Sequence, residues 1–281
     1  MKKIIRKIKK YLVKKEIVPI LQIKESEQIL QNKVAVVTGG SGGIGFAIAQ
    51  KFLSCGAKVI ICGTSEEKLK EMVNKVDTEM LSYCVVNLNH VSSFSDKVIE
   101  LVKIYGKIDI LVNSAGIHST NPIQDFFAYN EKEYDDIMNI NLKGTYFFSR
   151  EIAKYMVENK ILGHILNISS STSNEPAWSP YRISKWAMNG FTKGLADRLL
   201  PYGIIVNGIA PGSTATQLLG YSDGDSIYSE DNALGRMIMP EEIAEYAKLL
   251  VSDSGKFVIG ETIYISGGRG NLYYPTYSNN K

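Results

Sequence analysis

The sequence predicts one α/β domain built on a doubly wound, seven-stranded parallel sheet with helices on both faces. Seven short runs rich in β-branched residues recur along the chain, and most are separated by amphipathic segments of helix length. The runs are continuously apolar instead of alternating, which is typical of parallel strands covered on both faces. We find no internal repeat and no linker that would divide this pattern into two domains.

The elements follow in a regular order. The strand candidates are VAVVTG, AKVIICG, YCVVNL, IDILVNSAG, HILNISS, GIIVNGIAPG and TIYISGG, and nearly all of them end in turn-forming residues. The pattern between them predicts helices over 43–55, 66–76, 92–105, 131–159, 179–200 and 240–252. The last helix begins with PEE, and a proline followed by acidic residues suits a helix N-terminus.

The composition excludes several classes of protein. With 44% hydrophobic residues, 22% charged residues and a net charge of +3, the 281-residue chain is typical of a soluble globular protein and not of a nucleic-acid binder. No apolar run approaches the roughly 18 residues of a membrane-spanning helix. The three histidines have no metal-ligand spacing, so we expect no metal site. The three cysteines show no CxxC pairing and are expected to be reduced, buried thiols of a cytoplasmic protein.

A basic arm precedes the regular pattern, which divides the chain into an extension, 1–31, and a domain, 32–281. Residues 2–15 contain eight Lys or Arg and no acid, so that the rest of the chain has a net charge of −5. On a helix, the apolar residues Ile4, Ile5, Ile8, Tyr11 and Leu12 would share one face. Such a helix could bind an anionic membrane at the inner surface, or it could pack on the protein's own body or on a neighbouring subunit.

The stretch TGGSGGIG, residues 38–45, connects the first strand to the first helix. Gly39 permits a tight turn, Gly43 lets a pyrophosphate approach the backbone, and Gly45 lets the helix pack on the strand. The helix N-terminus would then offer free N–H groups and its dipole to the phosphates. The spacing is GxxxGxG and not GxGxxG, and taken alone it also fits a simple strand-to-helix turn.

A second motif, YRISK, places Tyr181 and Lys185 one turn apart on the same face of a predicted helix. A lysine ammonium beside a phenol favours the phenolate, which would lower the tyrosine pKa and allow proton transfer at neutral pH. An exposed surface pair would give the same pattern. However, NISSS (167–171) and NSAG (113–116) end two strands, where ligands bind in such sheets.

With these motifs in the order TGGSGGIG, NSAG, NINLKG, NISS, YRISK, NGIAPG and GGRG, the chain resembles the short-chain dehydrogenase/reductase family. The resemblance covers about residues 32–270 and points to the compact branch that includes 3-oxoacyl-carrier-protein reductases. It implies a Rossmann-type fold and hydride transfer between NADP(H) or NAD(H) and a carbonyl or secondary alcohol. The alternative is a catalytically silent relative that senses the cofactor or serves a structural purpose.

The resemblance also implies four catalytic residues. Tyr181 would protonate the carbonyl oxygen, and Lys185 would lower the tyrosine pKa and hold the nicotinamide ribose. Ser170 would stabilise the substrate oxygen, although the family usually separates Ser and Tyr by thirteen positions instead of eleven. Ser169 or Ser171 could therefore be the partner. Asn141 would hold a proton-relaying water, and it can kink or cap its helix at the same time.

The cofactor site follows from the same resemblance. Its expected residues are Gly39, Ser41, Gly42, Gly43, Ile44, Gly45, Gly63, Thr64, Ser65, Asn87, Leu88, Asn113, Ala115, Gly116, Tyr181, Lys185, Pro211, Gly212, Thr214 and Thr216. A carboxylate at the end of the second strand would repel a 2′-phosphate, but Gly63 occupies that position and two hydroxyls follow it. We therefore expect NADP before NAD, even though Gly42 stands where many NADP-preferring members carry Arg or Lys.

The remaining expectations concern substrate and assembly. The segment from Ser213 to Arg236 mixes apolar and acidic residues, which favours a small polar substrate such as a sugar or polyol derivative over a steroid or long acyl chain. Core packing is the default expectation for Trp178 and Trp186. By resemblance, the helices over 131–159 and 179–200 would form a homo-oligomer, either a tetramer or a dimer.

Overall fold

The computed structural model describes residues 28–119, 125–222 and 224–272, and the basic arm of residues 2–15 lies outside this part of the chain. Its seven strands form one parallel sheet in the order β3-β2-β1-β4-β5-β6-β7, which confirms the predicted fold. The strands are β1 Val34–Thr38, β2 Lys58–Gly63, β3 Leu81–Val85, β4 Ile110–Asn113, β5 His164–Ile168, β6 Ile205–Pro211 and β7 Thr262–Ile265.

The helices lie close to their predicted positions. They are α1 Gly43–Ser54, α2 Glu66–Val76, α3 Phe94–Tyr105, α4 Glu131–Met138, α5 Thr145–Glu158, α6 Pro180–Leu199 and α7 Pro240–Leu250. The predicted helix over 131–159 is interrupted by a π-helical turn, Asn139–Gly144, between α4 and α5. The backbone at Gly144 packs against the loop that follows β3. A Cβ on Gly144 would lie 2.4 Å from the Leu88 carbonyl oxygen. Close packing at this turn requires glycine.

The two faces of the sheet carry separate hydrophobic cores. Alternate residues of β1 point to opposite faces, with Ala35 and Val37 in one core and Val34 and Val36 in the other. Residues of α1, α2 and α7 complete the first core, and residues of α3, α5 and α6 complete the second. This arrangement covers both faces of the sheet, as the continuous apolar runs predicted.

Buried polar side chains tie the carboxyl ends of the central strands together. Thr38 at the end of β1 accepts hydrogen bonds from the backbone N–H groups of Ser114 and Ala115, both at 3.2 Å. Asn113 at the end of β4 donates to Asn167 on β5 and to Ser149 on α5, both at 2.8 Å. The loops that follow these strands are thereby held at one edge of the sheet, where a ligand would bind.

Several single residues refine the sequence predictions. Leu30, which the predicted boundary assigns to the extension, is 1% exposed and packs in the core beneath α1. The three cysteines are free and buried, as predicted. The expectation of core packing is wrong for Trp186, which is 64% exposed because it lies on the outer face of α6. Among the helices of the described ranges, none has the length and apolar character needed to cross a bilayer.

His164 at the start of β5 makes stability sensitive to acid. The residue is 9% exposed, and neither ring nitrogen has a hydrogen-bond partner within the described ranges. Burial, with the nearby Lys33 charge, lowers the pKa of His164 to about 4 from 6.5. The unfolded chain binds a proton on His164 more tightly than the folded chain does. The contribution of the neutral His164 ring to the free energy of unfolding is therefore fully present above the unfolded pKa of 6.5, and it is lost as the pH falls towards 4.

We expect His164→Leu to remove part of this acid sensitivity. Between about pH 7.5 and about pH 4.5 the wild type should lose about 2–3 kcal/mol more of its free energy of unfolding than the variant does. Urea denaturation at a series of pH values measures this difference. His90→Leu, at an exposed histidine, serves as the control and should follow the wild type. An equally steep acid loss in His164→Leu would contradict the assignment.

Candidate active site

A cavity of about 540 Å³ opens at the carboxyl edge of the sheet. Its walls come from the start of α1, the loop after β4, the serine-rich turn after β5, the first turn of α6 and the segment after β6. The lining includes Ile44, His118, Ser170, Tyr181 and Thr216. The cavity therefore brings together the glycine loop, the serine motif and the tyrosine motif, which lie far apart in the sequence.

The first turn of α6 positions Tyr181 and Lys185. Ser179 caps the helix by accepting a hydrogen bond from the Arg182 N–H, and Pro180 occupies the first turn. The Lys185 side chain is buried, its Nζ donates to the Ile168 carbonyl oxygen at 2.9 Å, and Nζ lies 5.7 Å from the centre of the Tyr181 ring. Burial lowers the pKa of Lys185 to about 8. The pair is therefore not an exposed surface pair, since Tyr181 lines the cavity and Lys185 is buried beside it.

The pKa of Tyr181 moves in the direction opposite to the one expected from its lysine neighbour. Burial raises the pKa of Tyr181, while a hydrogen bond with Ser170 and the positive charge of Arg269 act against this rise. Lys185 directs its ammonium towards Ile168, so it does not offset the burial of the phenol. The phenol therefore keeps its proton at neutral pH, which is the state needed to protonate a carbonyl oxygen.

Three consecutive serines follow β5, and they differ in what they contact. Ser169 donates to the Lys185 carbonyl oxygen at 3.1 Å. Ser170 accepts from the backbone and hydroxyl of Thr172 at 3.2 and 2.9 Å, and it lines the cavity together with Tyr181. The Ser171 backbone packs against Gly270, where a Cβ would lie 2.4 Å from the Ser171 carbonyl oxygen. Among the three, Ser170 is the one whose hydroxyl acts to lower the pKa of Tyr181.

Asn141 lies in the π-helical turn and is 1% exposed. Its Oδ1 accepts from the Ile117 N–H at 2.8 Å, and its Nδ2 donates to the Ile117 carbonyl oxygen at 3.0 Å and to Ser184 at 3.2 Å. A Cβ on Gly116 would lie 3.3 Å from Asn141 Oδ1 and 3.6 Å from Lys185 Nζ. The turn therefore brings Asn141 beside the lysine while fixing the loop after β4.

The glycine loop fits a dinucleotide pyrophosphate. Gly39 has φ +65°, and a Cβ there would lie 2.8 Å from the Ala115 backbone. A Cβ on Gly43 would lie 2.6 Å from the Thr216 side chain, and no side chain caps α1 at Gly42. The helix N-terminus thus keeps its N–H groups available for an anion that approaches the bare backbone. Ser41 is half-buried beside this turn, and its Oγ would lie 3.5 Å from a Cβ on Gly63.

The turn after β2 contains the residues that would contact the adenosine ribose. Gly63 has space for a side chain, since a Cβ would make only ordinary contacts with Ser41 and Leu69 at 3.5 and 3.6 Å. Thr64 is exposed, and the Ser65 hydroxyl accepts from the Lys68 N–H as the cap of α2.

Other expected cofactor residues take structural positions at the same edge. Asn87 folds back to accept from the Asn89 N–H at 3.0 Å, and Leu88 is buried against Gly144. The Asn113 side chain is directed into the protein, so only its backbone borders the site, and its Oδ1 has no partner in the described ranges. The side chains of Asn87, Leu88 and Asn113 are therefore engaged in contacts within the protein.

The segment after β6 forms the opposite wall of the cavity. Pro211, Gly212, Thr214 and Thr216 all line it, and the Thr214 hydroxyl donates to the Gly212 carbonyl oxygen at 2.9 Å. Thr214 also pairs with Ile238, which fixes the two ends of the intervening segment. These four residues lie together with Ile44 in the cavity lining.

Sequence reasoning missed several residues of the cavity. The His118 ring lies 4.3 Å from the Tyr181 ring, centre to centre, and Tyr129 lies 6.2 Å from Trp178. Arg182 and Arg269 also line the cavity. Arg182 stands inside the YRISK motif and Arg269 inside GGRG, so both were visible as charged residues at otherwise small or apolar motif positions. Within the described ranges, no group of His, Cys, Asp or Glu is arranged to hold a metal ion.

Comparison with known proteins identifies this arrangement. The family model for short chain dehydrogenases matches residues 33–225. A 3-oxoacyl-(acyl-carrier-protein) reductase of Rickettsia felis is 36% identical over 245 residues, covering 85% of this chain and 97% of the relative.

Two solved structures extend the likeness to three dimensions. A 3-ketoacyl-(acyl-carrier-protein) reductase from Brucella melitensis complexed with NADH has a TM-score of 0.78 at 28% identity, covering 86% of this chain and 99% of that one. An actinorhodin polyketide ketoreductase with NADPH has a TM-score of 0.76 at 28% identity, covering 85% and 98%.

The chain belongs to the short-chain dehydrogenase family. It is accordingly an NAD(P)-dependent oxidoreductase that transfers a hydride between the dinucleotide and a carbonyl or secondary alcohol.

Proposed function

We propose that Tyr181, Ser170, Lys185 and Asn141 carry out this reaction in the direction of carbonyl reduction. The observation that supports the proposal most strongly is the cavity itself, whose lining includes Ser170, Tyr181 and also Ile44 of the glycine loop. Measuring NADPH and NADH oxidation with a panel of carbonyl compounds tests it. Oxidation of neither cofactor with any carbonyl would overturn it.

Each side chain has a chemical task. The bound nicotinamide supplies the hydride. Tyr181 donates its proton to the substrate oxygen, and Ser170 stabilises the charge that develops on that oxygen. Ser170 can do so because its Oγ accepts from Thr172 and leaves its own proton to donate. Lys185 would hold the nicotinamide ribose, and Asn141 holds the loop that borders Lys185.

We also propose NADP(H) as the preferred cofactor. Gly63 presents no carboxylate where an acidic side chain would repel a 2′-phosphate. The nearest acid along the chain, Glu66, is paired with Lys70 at 2.9 Å and accepts from the Tyr83 hydroxyl at 3.1 Å. Its charge is therefore directed towards β3 and the next turn of α2. The exposed Thr64 hydroxyl adds a donor beside the open position.

Gly63→Asp is expected to move the preference towards NADH. The Cβ makes only ordinary contacts, so the variant should fold, and its carboxylate would repel a 2′-phosphate. Two unit charges about 4 Å apart repel by about 1–4 kcal/mol at a protein surface, which corresponds to at least about a fivefold change. The ratio of kcat/KM for NADPH to that for NADH measures the shift. A wild type that already prefers NADH would contradict this assignment.

A second copy of the chain is the partner we propose. A groove of about 360 Å³ lies between α5 and α6 and is mostly apolar. Its walls include Tyr146, Phe191 and Leu195, and the Tyr146 and Phe191 rings lie 5.2 Å apart, centre to centre. Tyr146 is 46% exposed, which is unusual for an aromatic residue beside such a groove. We propose that these helices form a homotetramer, with a dimer as the smaller alternative.

Phe191→Asp should dissociate this assembly. An unpaired carboxylate in an apolar interface strongly disfavours association. Light scattering at micromolar concentration should give an oligomer for the wild type and a monomer for the variant. Arg198→Glu, on the exposed surface of the same helix, should keep the oligomer. A monomeric wild type would contradict the proposal.

We propose a cytoplasmic location, because three buried free thiols are typical of a reducing compartment. The division into a basic extension, 1–31, and one catalytic domain, 32–281, is also a proposal.

For the arm of residues 2–15 we propose two alternatives: it binds the inner membrane surface, or it packs on the protein. The two alternatives predict opposite results in a vesicle-binding experiment. Salt-sensitive co-sedimentation with anionic vesicles that depends on residues 1–18 would support the membrane.

A further inference from the structure

Two guanidinium groups line the same cavity as Ser170 and Tyr181. Arg182 comes from the first turn of α6, and Arg269 comes from the segment after β7. Their side chains are only 18% and 26% exposed, so they belong to the cavity wall and not to the open surface. A charged group that is partly removed from water is stabilised by oppositely charged or hydrogen-bonding partners. The partners of Arg182 and Arg269 therefore determine what this wall can bind.

One carboxylate holds both arginines. Glu175 Oε2 forms an ion pair with Arg182 Nη1 at 2.8 Å, and Glu175 Oε1 accepts a hydrogen bond from Arg269 Nε at 2.9 Å. The Arg182 guanidinium also lies over the Trp178 ring, 5.6 Å from its centre. Glu175 does not line the cavity, whereas both arginines do. Glu175 therefore holds the two guanidinium groups together from behind the wall, while both guanidinium groups remain part of the cavity lining.

A second carboxylate already occupies part of this wall. Asp231, from the segment between β6 and α7, lies 3.0 Å from Arg269 Nη1 and accepts from the Ser213 hydroxyl. Its side chain is 50% exposed, unlike that of Glu175. The hydrogen bonds that Arg182 and Arg269 donate within the described ranges come from Nη1 and Nε and not from Nη2. Two directional donors therefore remain for a ligand.

We propose that the substrate carries an anionic group, a carboxylate or a phosphate, that binds to Arg182 and Arg269 while its carbonyl lies at Tyr181 and Ser170. The planar guanidinium matches both anions with paired N–H donors, and its weak hydration suits a half-buried site. This inference rests on the proposed function and defines its substrate class. The substrate is then a small anionic oxo compound instead of a neutral polyol.

Matched substrate pairs test the charge requirement directly. Acetoacetate and acetoacetamide differ mainly in the carboxylate, and dihydroxyacetone phosphate and dihydroxyacetone differ in the phosphate. With saturating NADPH, we expect kcat/KM for the anionic member to exceed that for the neutral member at least tenfold in one of the two pairs. The pair that shows the preference distinguishes a carboxylate from a phosphate.

Variants assign the preference to particular side chains. Arg269→Gln should reduce the anionic-to-neutral ratio at least tenfold, and Arg269→Lys should retain part of it because the charge remains without the fork. Asp231→Asn should raise the ratio, since it removes the carboxylate that competes for Arg269. Arg198→Gln is the matched control and should keep the wild-type ratio, because Arg198 is an exposed residue that is paired with the exposed Asp197.

A binding measurement gives a readout that does not depend on turnover. Trp178 lies against Arg182, so an anion bound there should change its fluorescence. In a Trp186→Phe background, acetoacetate or dihydroxyacetone phosphate should produce a saturable change that Arg182→Gln weakens at least tenfold.

The outcomes separate this inference from the proposed function. Turnover of carbonyl compounds without an anionic preference in either pair would overturn the inference and leave the proposed function intact. A preference that survives both Arg182→Gln and Arg269→Gln would overturn the assignment to this wall. Absence of turnover with every carbonyl would remove the proposed function and this inference together.

Discussion

Replacing Tyr181 by phenylalanine is expected to lower kcat by about 10²–10⁴-fold, the range of a general acid. The phenol lines the cavity beside Ser170, and its raised pKa keeps the proton in place at neutral pH. The variant keeps the ring and its contact with His118 but has no proton to give. The substrate oxygen would then have to take its proton from water.

The dinucleotide should still bind to this variant, because the glycine loop is unchanged. Fluorescence titration with NADPH should give a dissociation constant within a few-fold of the wild type while steady-state turnover falls. Tyr246→Phe, on the outer face of α7, removes a hydroxyl elsewhere and should retain full activity. Turnover near the wild-type value in Tyr181→Phe would show that another group supplies the proton.

The second large effect is expected from Gly45→Ala. A Cβ at this position would lie 2.3 Å from the Gly39 carbonyl oxygen, which is backbone and cannot rotate away. That oxygen also accepts the Gly42 N–H at 3.0 Å, so the added methyl group would break the turn that prepares the helix N-terminus. We expect a loss of about 3 kcal/mol in the free energy of unfolding and at least tenfold weaker NADPH binding.

Gly42→Ala provides the matched control in the same loop. Gly42 has φ −90°, which any residue adopts, and a Cβ there would meet only the Gly39 oxygen at 3.3 Å. Thermal denaturation and NADPH titration should show a small change for Gly42→Ala and a large one for Gly45→Ala. Equal effects in the two variants would indicate that the close contact at Gly45 does not determine the loop.

The sequence was sufficient for the sheet and the helices because their signals are local. Continuous apolar runs between turn residues located all seven strands, and the parallel arrangement followed from their burial on both faces. The glycine loop and the YRISK motif were recognisable because each places its residues within one turn of chain. Their meeting at one cavity followed from the rule that the carboxyl ends of parallel strands share an edge.

Features that depend on contacts between distant segments could not be predicted. The π-helical turn at Asn139–Gly144 arises where Gly144 packs against Leu88, more than fifty residues earlier. Glu175 pairs both with Arg182 in α6 and with Arg269 after β7, and these two arginines lie far apart in the sequence. The pKa direction of Tyr181 depends on how deeply the cavity buries the phenol, which motif spacing does not encode.

Deuterium transfer tests the central claim most directly. The protein is incubated with a carbonyl substrate and with NADPH that carries deuterium at the transferable nicotinamide hydrogen. We expect the alcohol product to gain one deuterium on the former carbonyl carbon, and Tyr181→Phe to slow its formation by about 10²–10⁴-fold. Product alcohol without deuterium, or oxidation of the cofactor without any alcohol, would contradict hydride transfer at this site.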